Sequence, residues 1–274
     1  MFETERRQIR DMYMDYHHHT NNSIDSKAVM QDVCEQAISK GIKEICFTEH
    51  FSVNPDAPTY GHMDFAKYQQ DIRDSQESYG DQLTIKMGIE LCEPHLMMDV
   101  YEKELSPIPF DFIMGSVHNI NNQKLRLHLR ANRDTFYDDY FAEMYKLVSD
   151  ADIDVLAHID LMKRYAVQEG HEVYVFEQYK DQIAAILEKA IQRGIGIEIN
   201  TSGLRSTLGE ALPTPQIVSL YRDLGGQILT LGSDSHKAET VGAGIKEAQQ
   251  IAKQCGFTHI YQFDKREPKA VSLG

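Results

Sequence analysis

Histidine side chains follow the first apolar segment of this 274-residue chain at a spacing that metal binding would use. The segment from Met12 to His17 is predicted to be a strand, and it continues into His18 and His19. Because successive side chains of a strand point to opposite faces, His17 and His19 should share one face while His18 points away. Two imidazoles that converge from one strand are suitable ligands for a transition metal.

The same residue types end several later apolar segments. Histidine or a carboxylate occurs at His50, Glu90, His118, His158, Asp234 and His236. With His17 and His19, these positions include six of the 12 histidines, all at the ends of predicted strands. Imidazole and carboxylate ligands without thiolate suit Zn, Mn or Fe in a hydrolytic site. Such a set exceeds what one ion needs, so at least two ions are predicted, with a carboxylate between a pair.

Predicted helices and strands alternate along the chain and would bring these ligands together. Helical spacing of apolar residues covers about 26–40, 64–79, 133–149, 175–193, 213–224 and 238–254, and short apolar strands lie between these ranges. Such alternation predicts parallel βαβ units. An open doubly wound sheet binds ligands at one switch point, whereas a barrel presents residues from every strand at one face. Ligands on successive strands therefore favour an α/β barrel, and we expect residues 1–274 to form one domain.

Composition limits the class of protein. The chain is 42% hydrophobic and 26% charged, which is enough apolar material for a large core. Its net charge of −14 argues against a nucleic-acid partner. No apolar run approaches the ~18 residues of a membrane span, and Met1 to Asp11 lack a secretory signal. Because the four cysteines are scattered and form no CxxC pair, we expect a reducing, cytoplasmic location.

Short motifs surround the strand-end ligands. They are His17-x-His19, Thr48-Glu49-His50, Gly88-Ile89-Glu90, Gly115-Ser116-Val117-His118, Ala157-His158 and Gly232-Ser233-Asp234-Ser235-His236. Together they resemble the motifs of the polymerase-and-histidinol-phosphatase (PHP) family over nearly the whole chain. The segments 45–50, 114–118, 158–164 and 198–205 point to its histidinol-phosphatase branch. The resemblance implies a distorted (β/α)7 TIM-like barrel, in agreement with the strand count.

The resemblance also implies positions for two to three divalent transition-metal ions. One position uses His17, His19, Glu90 and Asp234, a second uses Glu90, His118 and His158, and a third uses His50, His236 and Asp25. Asp25 departs from the family pattern, because many relatives have histidine there. Glu49, where aspartate is commoner, is expected to support the ligands. A carboxylate can also serve as a ligand, so the third position keeps Asp25 as its expected third residue.

Two arginines match the histidinol-phosphatase branch. Arg164 and Arg205 follow strand ends, and a planar guanidinium binds phosphate oxygens in a bidentate manner. The resemblance assigns both to catalysis and to phosphate binding. Asp234 and His236 are candidates for the group that protonates the leaving alkoxide, together with a water on a metal.

The implied activity is metal-dependent hydrolysis of a phosphomonoester, expected to be L-histidinol phosphate in histidine biosynthesis. A hydroxide that bridges two ions is expected to attack phosphorus. Another phosphomonoester or a nucleotide is the alternative substrate. An amidohydrolase is disfavoured, because Glu90 and His118 stand where a modified lysine would be expected. A non-catalytic metal-binding domain is disfavoured, because the eight core ligands are all present. The cationic end of the substrate is expected to contact a loop residue over the barrel mouth. The candidates are the carboxylates of Asp56, Asp64 and Glu93, together with Tyr60.

Overall fold

Strands and helices alternate through the part of the chain that the computed structural model describes, residues 13–274. The strands are β1 (Tyr13–Asp15), β2 (Ile42–Phe51), β3 (Thr84–Cys92), β4 (Phe112–Ser116), β5 (Asn119–Ile120), β6 (Gln123–Lys124), β7 (Val155–Leu156), β8 (Gly196–Asn200), β9 (Leu229–Gly232), β10 (His259–Asp264) and β11 (Glu267–Ser272). The helices are α1 (Met30–Ser39), α2 (Phe65–Tyr79), α3 (Met98–Leu105), α4 (Leu125–Ala131), α5 (Phe136–Asp150), α6 (Met162–Gln168), α7 (Phe176–Gln192), α8 (Pro215–Asp223) and α9 (Ile245–Gln254). The first strand is shorter than predicted, and Met12, like Met1 to Asp11, lies outside the described residues.

Seven strands form one parallel sheet in the order β1-β2-β3-β4-β7-β8-β9. The two ends of this sheet meet, because the N–H of Tyr16 donates to Leu231 O at 2.9 Å. The N–H of Asp234 likewise donates to His17 O at 2.8 Å. The sheet is therefore a nearly closed barrel, which confirms the predicted (β/α)7 fold over an open doubly wound sheet. That residues 1–274 form one domain stays a prediction.

Two predicted helices begin later than their apolar spacing indicates. The range 26–40 becomes helical only at Met30. Before it, Ser26 Oγ lies 3.0 Å from both His19 O and His236 O, so its single proton is shared between the two carbonyls. These bonds hold the chain before α1 against the carboxyl end of the barrel. The range 238–254 begins with one 3-10 turn at Ala238–Thr240 and becomes α-helical at Ile245, after Gly242 and Gly244, which both adopt positive φ angles.

A terminal hairpin closes the other end of the barrel. Strands β10 and β11 pair in antiparallel fashion, and only β10 was predicted from the sequence. Phe263 of β10 packs near the rings of Tyr16 and Phe112, with ring centroids 6.3 and 4.9 Å away. The Tyr16 hydroxyl donates to the buried carboxylate of Glu44. The hairpin thus buries the aromatic floor under the strands that carry the candidate ligands.

Helices α3, α4 and α6 and the small hairpin of β5 and β6 were not predicted from the sequence. Each follows a barrel strand and has only a few turns, so its apolar spacing is too short to give a clear pattern. Segments α4 and α6 line the mouth of the barrel. In the described part of the chain, none of the helices has the length and apolar character needed to cross a bilayer.

Candidate metal centre

Four donor atoms converge at the carboxyl end of the barrel. His17 Nε2 lies 3.0 Å from His19 Nε2, 3.3 Å from Glu90 Oε2 and 3.6 Å from Asp234 Oδ1. His19 Nε2 lies 3.5 Å from Glu90 Oε2 and 3.4 Å from Asp234 Oδ1. Ligands ~2.0–2.2 Å from a tetrahedral zinc ion are separated by about 3.3–3.6 Å. The structure thus brings together the residues of the first predicted position at the spacing of a metal ligand set.

The other nitrogens of these two rings face hydrogen-bonding partners. His17 Nδ1 lies 2.7 Å from Glu198 Oε1, and His19 Nδ1 lies 3.2 Å from Ser23 Oγ. When Nδ1 carries the proton, Nε2 of each ring presents a lone pair to the carboxylates. Burial opposes a charge on His17, yet Glu198 and the other carboxylates raise its pKa well above its ordinary value. The carboxylates around His17 therefore stabilise positive charge at this site.

Glu90 presents its second oxygen to another pair of imidazoles. Its Oε1 lies 2.9 Å from His158 Nε2 and 3.5 Å from His118 Nε2. Burial disfavours the ionised carboxylate, but His50, His17 and His118 hold the pKa of Glu90 well below its usual range. With one oxygen directed to each donor set, Glu90 is placed to lie between two ions.

Asp25 faces the two histidines of the third predicted position. Its Oδ2 lies 3.3 Å from His236 Nε2 and 3.5 Å from His50 Nε2. The imidazole of His19 packs against both rings, with centroids 4.2 Å from His50 and 4.3 Å from His236, while those two centroids are 5.8 Å apart. The Asp25 side chain is 51% exposed, whereas that of Glu90 is fully buried. This third donor set is consequently the most accessible to solvent.

Glu198 supports the ligands from behind, and the strand-end pattern did not identify it. Besides contacting His17, it accepts the N–H of His158 at 3.0 Å through Oε2, which also accepts from Asn200 Nδ2 at 3.2 Å. Glu198 lies inside β8 and is fully buried. The signal was available, because a carboxylate that alternates with Ile197 and Ile199 along an apolar strand must face the barrel interior.

Glu49 holds the loop that follows β1, which agrees with its expected supporting role. Its carboxylate accepts from Ser23 Oγ at 2.6 Å and from the N–H of Thr20 at 2.9 Å. Ser23 Oγ in turn accepts the N–H of His50 at 2.9 Å. Because Ser23 donates its only proton to Glu49, it is an acceptor for the Nδ1 proton of His19. The pair therefore favours the ring tautomer whose Nε2 can bind metal.

His18 points away from the centre, as strand alternation predicts. Its ring is fully buried and packs edge-on against Phe47 at a centroid distance of 5.9 Å. Burial, together with the nearby His236 and His17, lowers the pKa of His18 to about 3. His18 is therefore a neutral packing residue.

A cavity of about 410 Å³ opens beside the three donor sets. Seven charged or ligand-type residues discussed above line it, namely Asp25, His50, His118, His158, Arg164, Asp234 and His236. Thr59, Asn119, Lys124, Arg126 and Tyr165 add further polar groups to its wall. The cavity is large enough for a small phosphomonoester.

The two predicted phosphate-binding arginines have different surroundings. Arg164 lines the cavity, its guanidinium contacts Ser202 Oγ, and its Nη2 lies 3.8 Å from Asp234 Oδ2. Arg205 donates from Nη2 to Ser233 O at 2.6 Å and from Nη1 to Ala243 O at 3.2 Å. It lies next to the segment that carries Asp234 but not among the described residues of the cavity wall.

The acidic loop residues considered for the cationic end of a substrate are engaged elsewhere. Asp56 accepts from Asn122, and Asp64 accepts the N–H of Lys67 at the start of α2. Glu93 is buried and accepts from Asn119 Nδ2 at 3.0 Å. These three residues and the exposed Tyr60 are absent from the described cavity lining.

Comparison with known proteins confirms the resemblance seen in the sequence. A family model described as the PHP domain matches residues 15–202. A protein of Clostridium acetobutylicum named "probable histidinol-phosphatase" is 31% identical over 265 residues, which is 93% of this chain and 98% of the relative. The histidinol-phosphatase of Lactococcus lactis is 26% identical over 259 residues, covering 91% of this chain and 94% of the relative.

A solved structure has the same fold. The crystal structure of histidinol phosphate phosphatase from Lactococcus lactis, complexed with zinc, L-histidinol and phosphate, superposes with a TM-score of 0.84. The two chains are 24% identical, and the match covers 94% of this chain and 98% of the other. The two proteins therefore share the barrel fold over nearly the full length of both chains.

Proposed function

Because the chain belongs to the PHP domain family, we propose that it is a metal-dependent phosphatase that hydrolyses L-histidinol phosphate to L-histidinol and phosphate. The observation that carries the proposal is the convergence of His17, His19, Glu90 and Asp234 at mutual distances of 3.0–3.6 Å beside an open cavity. The names of the relatives supply the substrate. We infer two to three ions of Zn, Mn or Fe, held by the three donor sets, and a small-molecule partner without nucleic acid.

Divalent ions in these positions would supply Lewis-acid stabilisation of the phosphoryl charge and an activated water. The side chains of the protein contribute binding and proton transfer. Arg164, on the cavity wall, is assigned to the phosphoryl oxygens, and Arg205 is proposed to assist it from the neighbouring segment. Asp234 and His236 both line the cavity and are the proposed proton sources for the leaving alkoxide.

Asn119 is our candidate for the cationic end of the substrate. Its Nδ2 donates to the buried Glu93 at 3.0 Å, and the backbone N–H groups of His118 and Asn119 donate to the same carboxylate. Glu93 thus fixes the amide so that Oδ1 is left as an acceptor on a residue of the cavity wall. The Asn119 amide oxygen is then proposed to accept a hydrogen bond from the ammonium group of the substrate.

Phosphate release from a panel of phosphomonoesters tests the proposal, with metal content measured on the same sample. We expect kcat/KM for histidinol phosphate to exceed that for glycerol phosphate or p-nitrophenyl phosphate by about tenfold or more. The other two substrates lack the ion contact of the cationic end, and each ~1.4 kcal/mol of lost contact energy lowers kcat/KM tenfold. Equal values would leave a phosphatase of another phosphomonoester or a nucleotide. Asn119→Leu should raise KM for histidinol phosphate while leaving p-nitrophenyl phosphate hydrolysis unchanged.

A further inference from the structure

Cys92 adds a sulfur donor to the edge of the metal centre. It is the last residue of β3, it is buried, and it lines the same cavity as the ligands. Its Sγ lies 3.4 Å from His118 Nδ1. One donor atom each from His50, Cys92 and His118 can be chosen so that all lie within 4.8 Å of one another. A single ion could therefore contact all three residues.

This donor set is different from the three sets that contain carboxylates. His118 faces Glu90 through Nε2, at 3.5 Å from Oε1, and faces Cys92 through Nδ1. His50 Nδ1 is buried and has no hydrogen-bond partner among the described residues. It lies 2.8 Å from Glu90 Oε2, but the geometry there is not that of a hydrogen bond. Because Glu90 contacts this buried nitrogen without forming a hydrogen bond, the lone pair of the neutral ring remains open to a metal ion.

We propose that His50, Cys92 and His118 form a binding site for a thiophilic ion such as Zn²⁺ or Cd²⁺. Thiolate and imidazole ligands favour such ions, whereas Mn²⁺ and Mg²⁺ favour carboxylate and water. A neutral imidazole donates one lone pair, so His118 cannot bind one ion through Nδ1 and a second through Nε2. An ion bound to Cys92 and His118 Nδ1 would therefore prevent His118 Nε2 from binding a second ion beside Glu90. This competition for His118 rests on the proposed function, because it requires a second ion beside Glu90. The proposed site at Cys92 does not depend on that function.

Titration of the full chain with Co²⁺ and Cd²⁺ tests the site by absorbance. The wild type should develop a sulfur-to-metal charge-transfer band, and Cys92→Ser should lose it. Cys34→Ser is the matched control, because Cys34 is also a buried free cysteine but lies in α1 and not on the described cavity wall. Loss of a supporting residue beside a metal costs about 10- to 100-fold in affinity, so loss of a ligand should weaken Cd²⁺ binding at least as much. A band that persists in Cys92→Ser would overturn the proposal.

X-ray absorption on the zinc-loaded wild type gives a second test that needs no variant. A zinc–sulfur distance of ~2.3 Å should appear beside the shorter nitrogen and oxygen distances. A spectrum with nitrogen and oxygen neighbours alone would exclude Cys92 as a ligand. Added Cd²⁺ should also inhibit Mn²⁺-loaded wild type at a concentration about tenfold lower than it inhibits Cys92→Ser. Equal inhibition of both proteins would exclude competition between the two ions for His118. Whether Cys92 binds an ion at all is then decided by the absorbance titration.

Discussion

Replacement of Glu198 by glutamine removes the partner that orients His17 without changing side-chain volume. Glu198 accepts one hydrogen bond from His17 Nδ1 at 2.7 Å and another from the N–H of His158 at 3.0 Å. A glutamine has only one oxygen, so its NH₂ group must face one of these donors. If it faces His17, the ring proton moves to Nε2, the atom directed at Glu90. If it faces His158, two N–H groups oppose each other in a buried site.

The expected cost follows from this loss of one acceptor. Outer-shell partners of metal-bound histidines contribute about 10- to 100-fold in metal affinity or activity, equal to ~1.4–2.7 kcal/mol. Glu198 is fully buried, so water cannot replace the missing acceptor. We expect Glu198→Gln to bind zinc about 10- to 100-fold more weakly in competition with a chelating indicator. Its kcat/KM for histidinol phosphate at limiting zinc should fall by a similar factor.

Glu44→Gln is the matched control for this experiment. Glu44 is another buried carboxylate on a barrel strand, but it lies at the floor, where the Tyr16 hydroxyl donates to it. This variant should keep wild-type zinc affinity even if its thermal stability falls. Wild-type zinc affinity and kinetics in Glu198→Gln would refute the orienting role. An equal loss of affinity in both variants would show that the effect is a general response to a buried amide.

Three other predictions concern the same site. Arg164→Ala and Arg205→Ala should each retain bound metal but lose about 10- to 100-fold in kcat/KM, since a charge-assisted contact contributes ~1.5–3 kcal/mol. Substitution by lysine should restore little of this activity. Wild-type kinetics in either alanine variant would show that its arginine does not act in the site. His17→Ala should lose metal by elemental analysis, whereas His18→Ala should keep it and lose about 2–4 kcal/mol of unfolding free energy in urea; equal metal loss would contradict the alternation of the two rings. Burial disfavours charge on His17 and His50, but nearby carboxylates outweigh it and raise the pKa values of both well above the ordinary value. Metal binding should therefore release protons at neutral pH and weaken as the pH falls. A pH indicator that detects no proton release on metal addition would contradict this prediction.

The candidate ligands could be predicted from the sequence because each obeys a simple rule of position. A parallel barrel places the ends of all its strands at one face, so residue types at strand ends predict the composition of the site. His17 and His19 show the rule at its clearest, since alternation continues past the last residue of β1. Fold and donor chemistry were therefore accessible without coordinates.

The supporting groups were harder to predict, because they depend on how loops return to the barrel. Glu93 follows β3 closely and resembles a substrate-binding carboxylate in sequence, yet it is buried behind Asn119. Ser26 reads as the start of a helix, but its hydroxyl is bonded to two backbone carbonyls of the site. In each case a tertiary hydrogen bond overrides the local pattern, and no spacing within the segment reports that bond.

The contact between β1 and β9, which closes the barrel, fixes the order in which parts of the site can assemble during synthesis. Asp15 and Ser233, which are 218 positions apart, are joined across it by hydrogen bonds of 2.8 and 2.5 Å. The first strand leaves the ribosome early but finds its second neighbour only when the last barrel strand has emerged. His17 and His19 then meet Asp234 for the first time. The first predicted metal position is therefore completed only after the segment that carries Asp234 has been made, and an ion bound there would link the first barrel strand to the last.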